Sequence, residues 1–563
     1  MRLAVNGLDA ARQHPLVGRA VLLWDMHLRT GICGLPLAVP RRLSEAGGNS
    51  RAEGRRTFTG PGRHVRMRIA LLIDPSRIWH WHVLLARVLV RERGHVVIIQ
   101  RCPAGPALPA ATLNLIGIER RLLWRQANGE AVARLTDVTA FAEFDQTSGV
   151  AADLVIDLTG GSANASPQVR TLRPLYDGQR SETAAITAIL ARRQPSIQVH
   201  DSARPAATVA GFPAVDRPDV LARSLDSVFS RMGELLLQVV AGRATPASGP
   251  APRVHLDGRD GVGALQFFSA AVAGEVAGKV ARVLGRSPRW TIGWRHAPFS
   301  PVRQDFRLAL DAYHWLADDA HTWYADPFVR WHDGRYHVLC EAFDERRGKG
   351  VISAFVLGPD GTASKPQVVL ERPYHLSYPF LFACDGDIFM MPETSANRTV
   401  EVYRATRFPD QWVHHKTVLE DIAADDATLF QQADRWWLFA GTRHWQSTCW
   451  DALSLFHAAS PFGPFQPHPL NPVMIDARSA RPAGAMLQRD GVIWRPAQDC
   501  TRGYGSGMTL CRVDDLSPQA YRQSTVVSIK PAPGSRISGI HTLNHAAGPG
   551  GGLEVIDVFG PRR

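Results

Sequence analysis

The chain is predicted to fold as an open α/β domain followed by a five-bladed β-propeller over residues 290–563, and three observations lead there. A unit of strand, tight turn and strand recurs in one register at Asp326, Tyr378, Asp426, Ala483 and His541. These anchors lie 52, 48, 57 and 58 residues apart, spacings that hold a four-stranded blade. Upstream of them, short apolar runs alternate with a helical pattern, as in a Rossmann-like parallel sheet with right-handed crossovers.

Length and composition bound the rest. The 563 residues are 45% hydrophobic and 21% charged, an ordinary globular composition with chain enough for two to four domains. The formal charge is +12, and only five of the 64 basic residues are lysine. That arginine skew reads as a GC-rich bacterial coding bias. The first 66 residues hold 11 Arg against four acids. The basic surplus is therefore mostly terminal, no basic stripe with interleaved aromatics exists, and nucleic acid is excluded as a partner. No run of 18 apolar residues occurs, so no transmembrane segment is expected. Seven scattered cysteines form no CxxC pair. They are expected to be free thiols in a reducing, cytoplasmic setting, with no metal called for.

In chain order, residues 1–66 carry no sustained periodicity. They are expected to be disordered or upstream of the true start, because Met67 opens a native-looking Met-Arg-Ile-Ala-Leu-Leu-Ile run. The α/β domain is assigned to 67–243. Residues 69–73 form a first strand, 79–93 a helix stopped by Gly94, and 96–99 a second strand. A further buried strand at 154–159 is closed by Gly160-Gly161. Ligands of such sheets sit at the carboxyl ends of the strands, here Asp74, Ser76, Asp157 and Thr159. The glycines do not form GxGxxG, so no dinucleotide and no other cofactor is implied. Residues 221–240 have helical spacing, 244–289 read as a Pro/Gly-rich linker and a helix, and short aromatic strands begin at Trp290.

Within the propeller, Asp-Gly pairs at 333–334, 385–386 and 490–491 supply the positive φ angles of two-residue hairpins. The innermost strand of each blade lines the axis, so matching positions of different blades converge. Those positions hold Asp326, Tyr378, Asp426, the segment Arg481-Pro482-Ala483, and His541. Two carboxyl groups flanking a scissile bond, one protonated and one ionised, are what glycosidic chemistry needs. Trp436-Trp437 is assigned to packing between blades.

At Tyr324-Ala-Asp-Pro-Phe328 with Asp333-Gly-Arg-Tyr336 the sequence resembles the first blade of the furanosidase-type five-bladed propellers. Longer segments are similar to the amino-terminal domain of plant glucosamine inositolphosphorylceramide transferases and its bacterial relatives. They are His375-Leu-Ser-Tyr-Pro-Phe, Met391-Pro-Glu-Thr-Ser-Ala-Asn-Arg398, Asp426-Ala-Thr-Leu-Phe, Arg481-Pro-Ala-Gly and Arg495-Pro-Ala-Gln-Asp-Cys-Thr-Arg-Gly-Tyr-Gly505. Residues 67–240 look like a degenerate formyltransferase amino-terminal fold, with His200 in Ser196-Ile-Gln-Val-His-Asp-Ser202.

The furanosidase resemblance implies that Asp326 is the nucleophile or general base and Asp426 the carboxylate that tunes its neighbours. It assigns the general acid to a Glu on a later inner strand; here the fourth copy offers Arg481 and Asp499, and the nearest glutamates are Glu341 and Glu393 from the first two blades. Glu393 is the candidate acid in its place. Tyr378, Arg481, Arg495, Asp499, Tyr504 and His541 are the expected substrate-binding residues, the arginines as bidentate ligands of an anionic group. The resulting expectation is a protein acting on a glycan or glycoconjugate by hydrolysis or transfer. Two alternatives stand beside it: a propeller that only binds a sugar or sugar phosphate, and a formyltransferase acting on an amino sugar.

Overall fold

The computed structural model describes residues 66–102, 105, 107–124, 131–146, 151–161, 168–205, 209–243, 263–284, 287–298, 310–358 and 361–561, apart from positions 318, 320 and 533. The expectations for residues 1–65 and for the linker 244–262 lie outside them.

The first domain is a six-stranded sheet in the order Val96–Arg101, Arg68–Ile73, Leu154–Asp157, Thr171–Tyr176, Ile197–Asp201, Val209–Gly211. The first four strands are parallel, and the two central ones, Arg68–Ile73 and Leu154–Asp157, carry the near-continuous apolar runs of strands covered on both faces. Ile197–Asp201 runs antiparallel to both its neighbours, Thr171–Tyr176 and Val209–Gly211, which departs from the all-parallel expectation. The connection before Ile197 holds only the eight-residue helix Thr183–Leu190. At about 1.5 Å per residue it is about 12 Å long, too short to carry the chain back along a strand of about 20 Å. His80–Arg91 packs on the sheet through Trp81, Val83, Leu85, Ala86 and Leu89.

The helix Leu221–Val240 decides how the two halves meet. Eighteen of its 20 residues are buried, which a helix reaches only when it is covered on both sides. Leu225, Val228, Phe229, Met232 and Leu236 belong to the α/β core. Its other side faces the propeller. Arg231 bonds Asp451 Oδ1 at 2.7 Å and the carbonyls of Thr442 and Thr448 at 2.8 and 2.5 Å. Arg223 donates to the Gln446 carbonyl at 2.6 Å. A Cβ on Gly233 would sit 2.3 Å from Trp445 Cζ3, so only glycine admits that ring. The segment before the helix also docks: Ala214 N–H donates to Asp451 Oδ2 at 2.7 Å, and Phe212 exchanges backbone bonds with Ile475 and Ala477.

The start of this helix has no side-chain cap of its own. Glu119, from the helix Ala110–Leu122, accepts the Ala222 N–H at 2.8 Å instead. Burial pushes the Glu119 carboxyl up to about 7, against the pull of those backbone N–H groups. A raised folded pKa gives stability that is full below the unfolded value and lost as pH rises through about 7. Glu119→Gln is therefore expected to raise stability at pH 8 by about 2–3 kcal/mol and to change little at pH 5. Thermal unfolding at the two pH values checks this, and an equal change at both would refute it.

Residues 289–560 form five antiparallel sheets around an axis, a five-bladed propeller. Blade one comprises Thr322–His332, Arg335–Asp344, Lys349–Leu357 and Gln367–Leu370, and blade two Ser377–Cys384, Asp387–Glu393, Thr399–Arg407 and Gln411–Glu420. Blade three comprises Ala424–Gln432, Arg435–Thr442, Ala452–Ala458 and Gln466–Pro467, and blade four Leu487–Arg489, Val492–Asp499, Gly507–Leu516 and Tyr521–Ile529. Blade five is built from both ends of the domain. Leu543–Ala546 and Leu553–Gly560 supply its inner strands, and Arg289–His296 and His314–Trp315 its outer ones. That closure ties the start of the propeller to its end, so no inner edge is left open. The three Asp-Gly turns have positive φ at both residues, 48° and 74°, 50° and 86°, and 52° and 77°, the geometry of the tight hairpin. Trp437 is buried in the core between blades three and four.

Candidate active site on the propeller axis

The innermost strands of blades one to three each carry a β-bulge at the same place: Ala325/Phe328, Ser377/Phe380 and Asp425/Thr428. The residue inside each bulge has left-handed φ: Asp326 50°, Tyr378 44° and Asp426 54°. A bulge inserts one residue and turns its side chain out of the pleat. Non-glycine residues rarely adopt this φ. The recurring strain therefore aims three equivalent side chains from three blades.

Two hubs form where they point. The first is Arg481, fully buried, whose Nε donates to Asp426 Oδ2 at 2.6 Å and Nη1 to Asp425 Oδ2 at 3.2 Å. Its Nη2 lies 3.7 Å from Glu393 Oε2, and its guanidinium rests 5.0 Å from the Tyr504 ring centroid. Gln498 adds a bond to Asp426 Oδ2 at 3.1 Å, and Ser395 donates to Glu393 Oε1 at 2.8 Å. Burial, then Asp425 and Asp426, hold the Glu393 carboxyl well above the carboxylate range. It is a proton carrier at neutral pH, and its Oε2 is buried without a hydrogen-bond partner. Burial raises Asp426 also, but Arg481 opposes this.

The second hub is Asp557. Its carboxylate accepts the backbone N–H groups of Asp326, His541 and Thr542 at 2.8, 3.1 and 2.9 Å, and faces His541 Nδ1 at 2.7 Å. Thr542 Oγ1 donates to Asp326 Oδ1 at 2.7 Å. Burial lifts the Asp326 carboxyl to about 6, with His541 pulling down and Asp426 and Asp557 pushing up. The His541 ring is stacked on Trp290 at 3.8 Å. Burial disfavours its charge, but Asp557 and Asp326 outweigh that and raise its pKa.

Asp326, His541 and Asp557 also form the one group of carboxylate and imidazole atoms, among the described residues, that lie within 4.8 Å of one another, a spacing open to a metal ion. The donor set argues against one. Both Asp557 oxygens already face four protein nitrogens, which leaves the group short of free lone pairs.

The candidate residues thus divide. Asp326, Glu393, Asp426, Arg481, Tyr504 and His541 come together on the axis. Tyr378 lies there too, but its hydroxyl is spent between blades, bonded to Thr428 Oγ1 at 2.9 Å and to the Gly484 N–H at 2.7 Å. Arg495 is directed away: it bonds Gln523 at 2.8 Å and the carbonyls of Ala480 and Ser479. Its donors are consumed inside blade four, so it is not an anion ligand. Asp499 pairs with half-exposed Lys530 at 2.8 Å and with Thr501, outside the hubs. His200 lies in the α/β sheet opposite Arg173. The carboxyl-edge residues named for that sheet are bonded among themselves: Asp74 accepts from Ser76 at 2.7 Å, and Thr159 donates to Asp157 at 2.7 Å.

Sequence reasoning did not assign Asp557, Asp425, Glu341 or His375 to the site. Asp557 had a signal: one acid inside the apolar run Val555-Ile-Asp-Val-Phe559. The cluster is closed over. Asp326, Glu393, Asp426 and Arg481 are each at most 3% exposed. Above them pack Trp290, Trp323, Phe343, Trp450 and Tyr504, joined by Ala214 from the α/β domain.

Comparison with known proteins places residues 316–535 in register with a family model described as glucosamine inositolphosphorylceramide transferase 1, N-terminal. The rice (Oryza sativa subsp. japonica) glucosamine inositolphosphorylceramide transferase 1 is 36% identical over 163 residues, 28% of this chain and 22% of that protein. The Arabidopsis thaliana protein of the same name is 30% identical over 161 residues, 28% and 21% of the two chains. The chain thus aligns with about a fifth of the length of these curated relatives. Solved structures that align include a family 117 glycoside hydrolase from Zobellia galactanivorans, at 15% identity and TM-score 0.32 over 49% of this chain and 90% of that one. The family 62 α-L-arabinofuranosidase catalytic domain of Coprinopsis cinerea aligns at 12% identity and TM-score 0.33 over 48% and 97%.

Proposed function

We propose that this chain acts on the glycosidic bond of a glycan or glycoconjugate, by hydrolysis or transfer, at the propeller axis. One observation carries the reading: Asp326, Glu393 and Asp426, from two different blades and the neighbouring hairpin strand of blade two, gather around Arg481 and His541 with their proton affinities pushed apart. Glu393 keeps its proton and serves as general acid to the leaving oxygen. Asp326 ionises near neutrality and serves as base or nucleophile on the opposite side. Asp426, bonded by Arg481, is one of the neighbouring carboxyls that keep the proton on Glu393. The plant relatives are named for a glucosamine-bearing sphingolipid, which makes glycolipid headgroups the first substrates to test. A cytoplasmic site of action fits the reduced cysteines Cys340, Cys500 and Cys511. Among the described residues no helix is long and apolar enough to cross a membrane.

The test is a turnover and binding screen of the full chain against furanosides, hexosaminides and inositol-phosphate glycans. With a substrate in hand, kcat/KM is expected to rise with pH through about 6, as Asp326 ionises. It is then expected to fall at higher pH, as Glu393 loses its proton. The apparent values belong to the coupled cluster and not to single residues. A profile flat between pH 5 and 8 would remove Asp326 from the mechanism.

Closure of the cluster favours a second reading, a propeller that binds a sugar without cleaving it. Binding that survives Asp326→Asn, with no turnover on any member of the screen, selects it.

A further inference from the structure

The described residues expose fourteen large apolar side chains, and eight of them lie on or directly after two helices that pack side by side, Ala110–Leu122 and Ala264–Val283. The second of these helices is anchored on one side. Phe267 is buried in the α/β core, Ala271 and Gly278 are buried on the same side, and Glu275 pairs with Arg217 at 2.6 Å.

Nine residues make two and a half helical turns, so Val276 points away from the domain where Phe267 points in. Along that outward face stand Leu265, Val272, Val276, Val280 and Val283, which are 82%, 36%, 55%, 50% and 87% exposed. A surface helix normally turns its charged residues outward. This one has three in 20 residues, Glu275, Lys279 and Arg282, and Glu275 is engaged with Arg217.

Six positions of the outward face read the same in both directions about Gly274. Leu265 and Val283 are equidistant from it, and so are Val272 and Val276. The two polar members of the series, Ser269 and Lys279, are equidistant as well. Antiparallel pairing with an identical helix, centred at Gly274, therefore sets Leu265 against Val283 of the second copy, Val272 against Val276, and Ser269 against Lys279. Apolar residues meet apolar ones, and the hydroxyl group meets the ammonium group. A twofold interface requires this self-complementarity, residue i on j and j on i. The six positions are spaced alternately by four and three residues, as in the seam between two helices. Val280 lies beside the seam.

We propose that the outward face of the helix Ala264–Val283 binds a second copy of this chain, helix against helix and antiparallel about Gly274. The area is sufficient. At a width of about 10 Å the two exposed helices offer about 300 and about 200 Å² of face. Two copies together bury about 1,000 Å², the size at which stable interfaces begin. A lipid surface or an unrelated protein would cover the valines but would gain nothing from the matched places of Ser269 and Lys279.

Sedimentation equilibrium of the full chain over a concentration series tests this, and a monomer–dimer equilibrium is expected. Val276→Glu puts a charge into the seam twice and is expected to raise the dissociation constant about a hundred-fold. Val276 is half-exposed in the single chain, so the circular dichroism spectrum of this variant is expected to be unchanged. Ser269→Glu faces Lys279 of the second copy at two places and is expected to tighten the dimer about ten-fold, while Ser269→Lys weakens it about as much. A monomer at every concentration overturns the proposal, and so does a dimer that Val276→Glu leaves intact. Equal effects of Ser269→Glu and Ser269→Lys overturn the antiparallel pairing. A monomer that binds vesicles of phosphatidylcholine and phosphatidylserine, and loses them on Val276→Glu, overturns the proposal in favour of a lipid surface.

Discussion

Asp326→Asn and Glu393→Gln are each expected to lower kcat on the substrate found by the screen by about 10²–10⁴-fold, the range that a positioned acid or base supplies. Both replacements keep the shape of the side chain and remove only its proton chemistry. Neither is expected to cost the fold much. The Asp326 carboxyl is lifted to about 6 because burial and two neighbouring aspartates penalise its charge. Its native stability is therefore greatest when it is neutral and falls as pH rises from the unfolded value through about 6. Asparagine is neutral at every pH, so the melting temperature of Asp326→Asn is expected to hold or rise at pH 8. Loss of turnover with a retained melting temperature identifies a catalytic carboxyl. Unchanged turnover in both variants would falsify the catalytic assignment and leave the binding reading.

Arg481→Met is expected to have the largest effect on folding, a loss of about 3–5 kcal/mol. Arg481 pairs with Asp425 and Asp426 and lies beside Glu393, all within a few per cent of full burial. Removing it leaves those carboxyls in a low dielectric without a cation. Attraction then turns into repulsion between neighbours, which is costlier than losing the pair outright. A whole domain is stable by only about 5–15 kcal/mol, so the variant approaches the threshold of folding. The double change Arg481→Met with Asp426→Asn is expected to recover part of the loss, because it removes one orphaned charge. Urea unfolding of the set measures this. Additivity of the two single changes would show that Arg481 and Asp426 do not act as a unit.

Arg481 also marks where local reading stops. The furanosidase resemblance calls for a glutamate on a later inner strand, and the fourth copy offers Arg481 and Asp499 instead. Nothing in Arg481-Pro-Ala-Gly says whether the guanidinium is open to a ligand or folded onto Asp425 and Asp426, 55 residues and more away along the chain. Arg495 shows the same limit with the opposite outcome. Its guanidinium fork makes it a candidate ligand of an anionic group, but its partners are Gln523 and the main-chain carbonyls of Ser479 and Ala480. A cation in sequence has no direction until its strand has a register and a neighbour.

The blade count, the turns and the axial residues of blades one to three were legible along the chain. All three are local and periodic. Asp-Gly needs its positive φ whatever surrounds it, and Asp326, Tyr378 and Asp426 repeat because each inner strand begins with the same bulge. The helix Leu221–Val240 was legible from its spacing for the same reason. Tertiary structure alone decided the rest. It closed blade five with a strand from the start of the domain, reversed the strand Ile197–Asp201 of the α/β sheet, and brought Asp557 onto Asp326 and His541. It also set Ala214 among the aromatic residues that pack beside the acid cluster, docked the helix Leu221–Val240 on Asp451, and buried Asp326, Glu341 and Glu393, which lifts their proton affinity. Those outcomes depend on burial and on pairs more than 200 residues apart, such as Arg231 with Asp451. Desolvation is a property of the closed fold, and no window of sequence contains it.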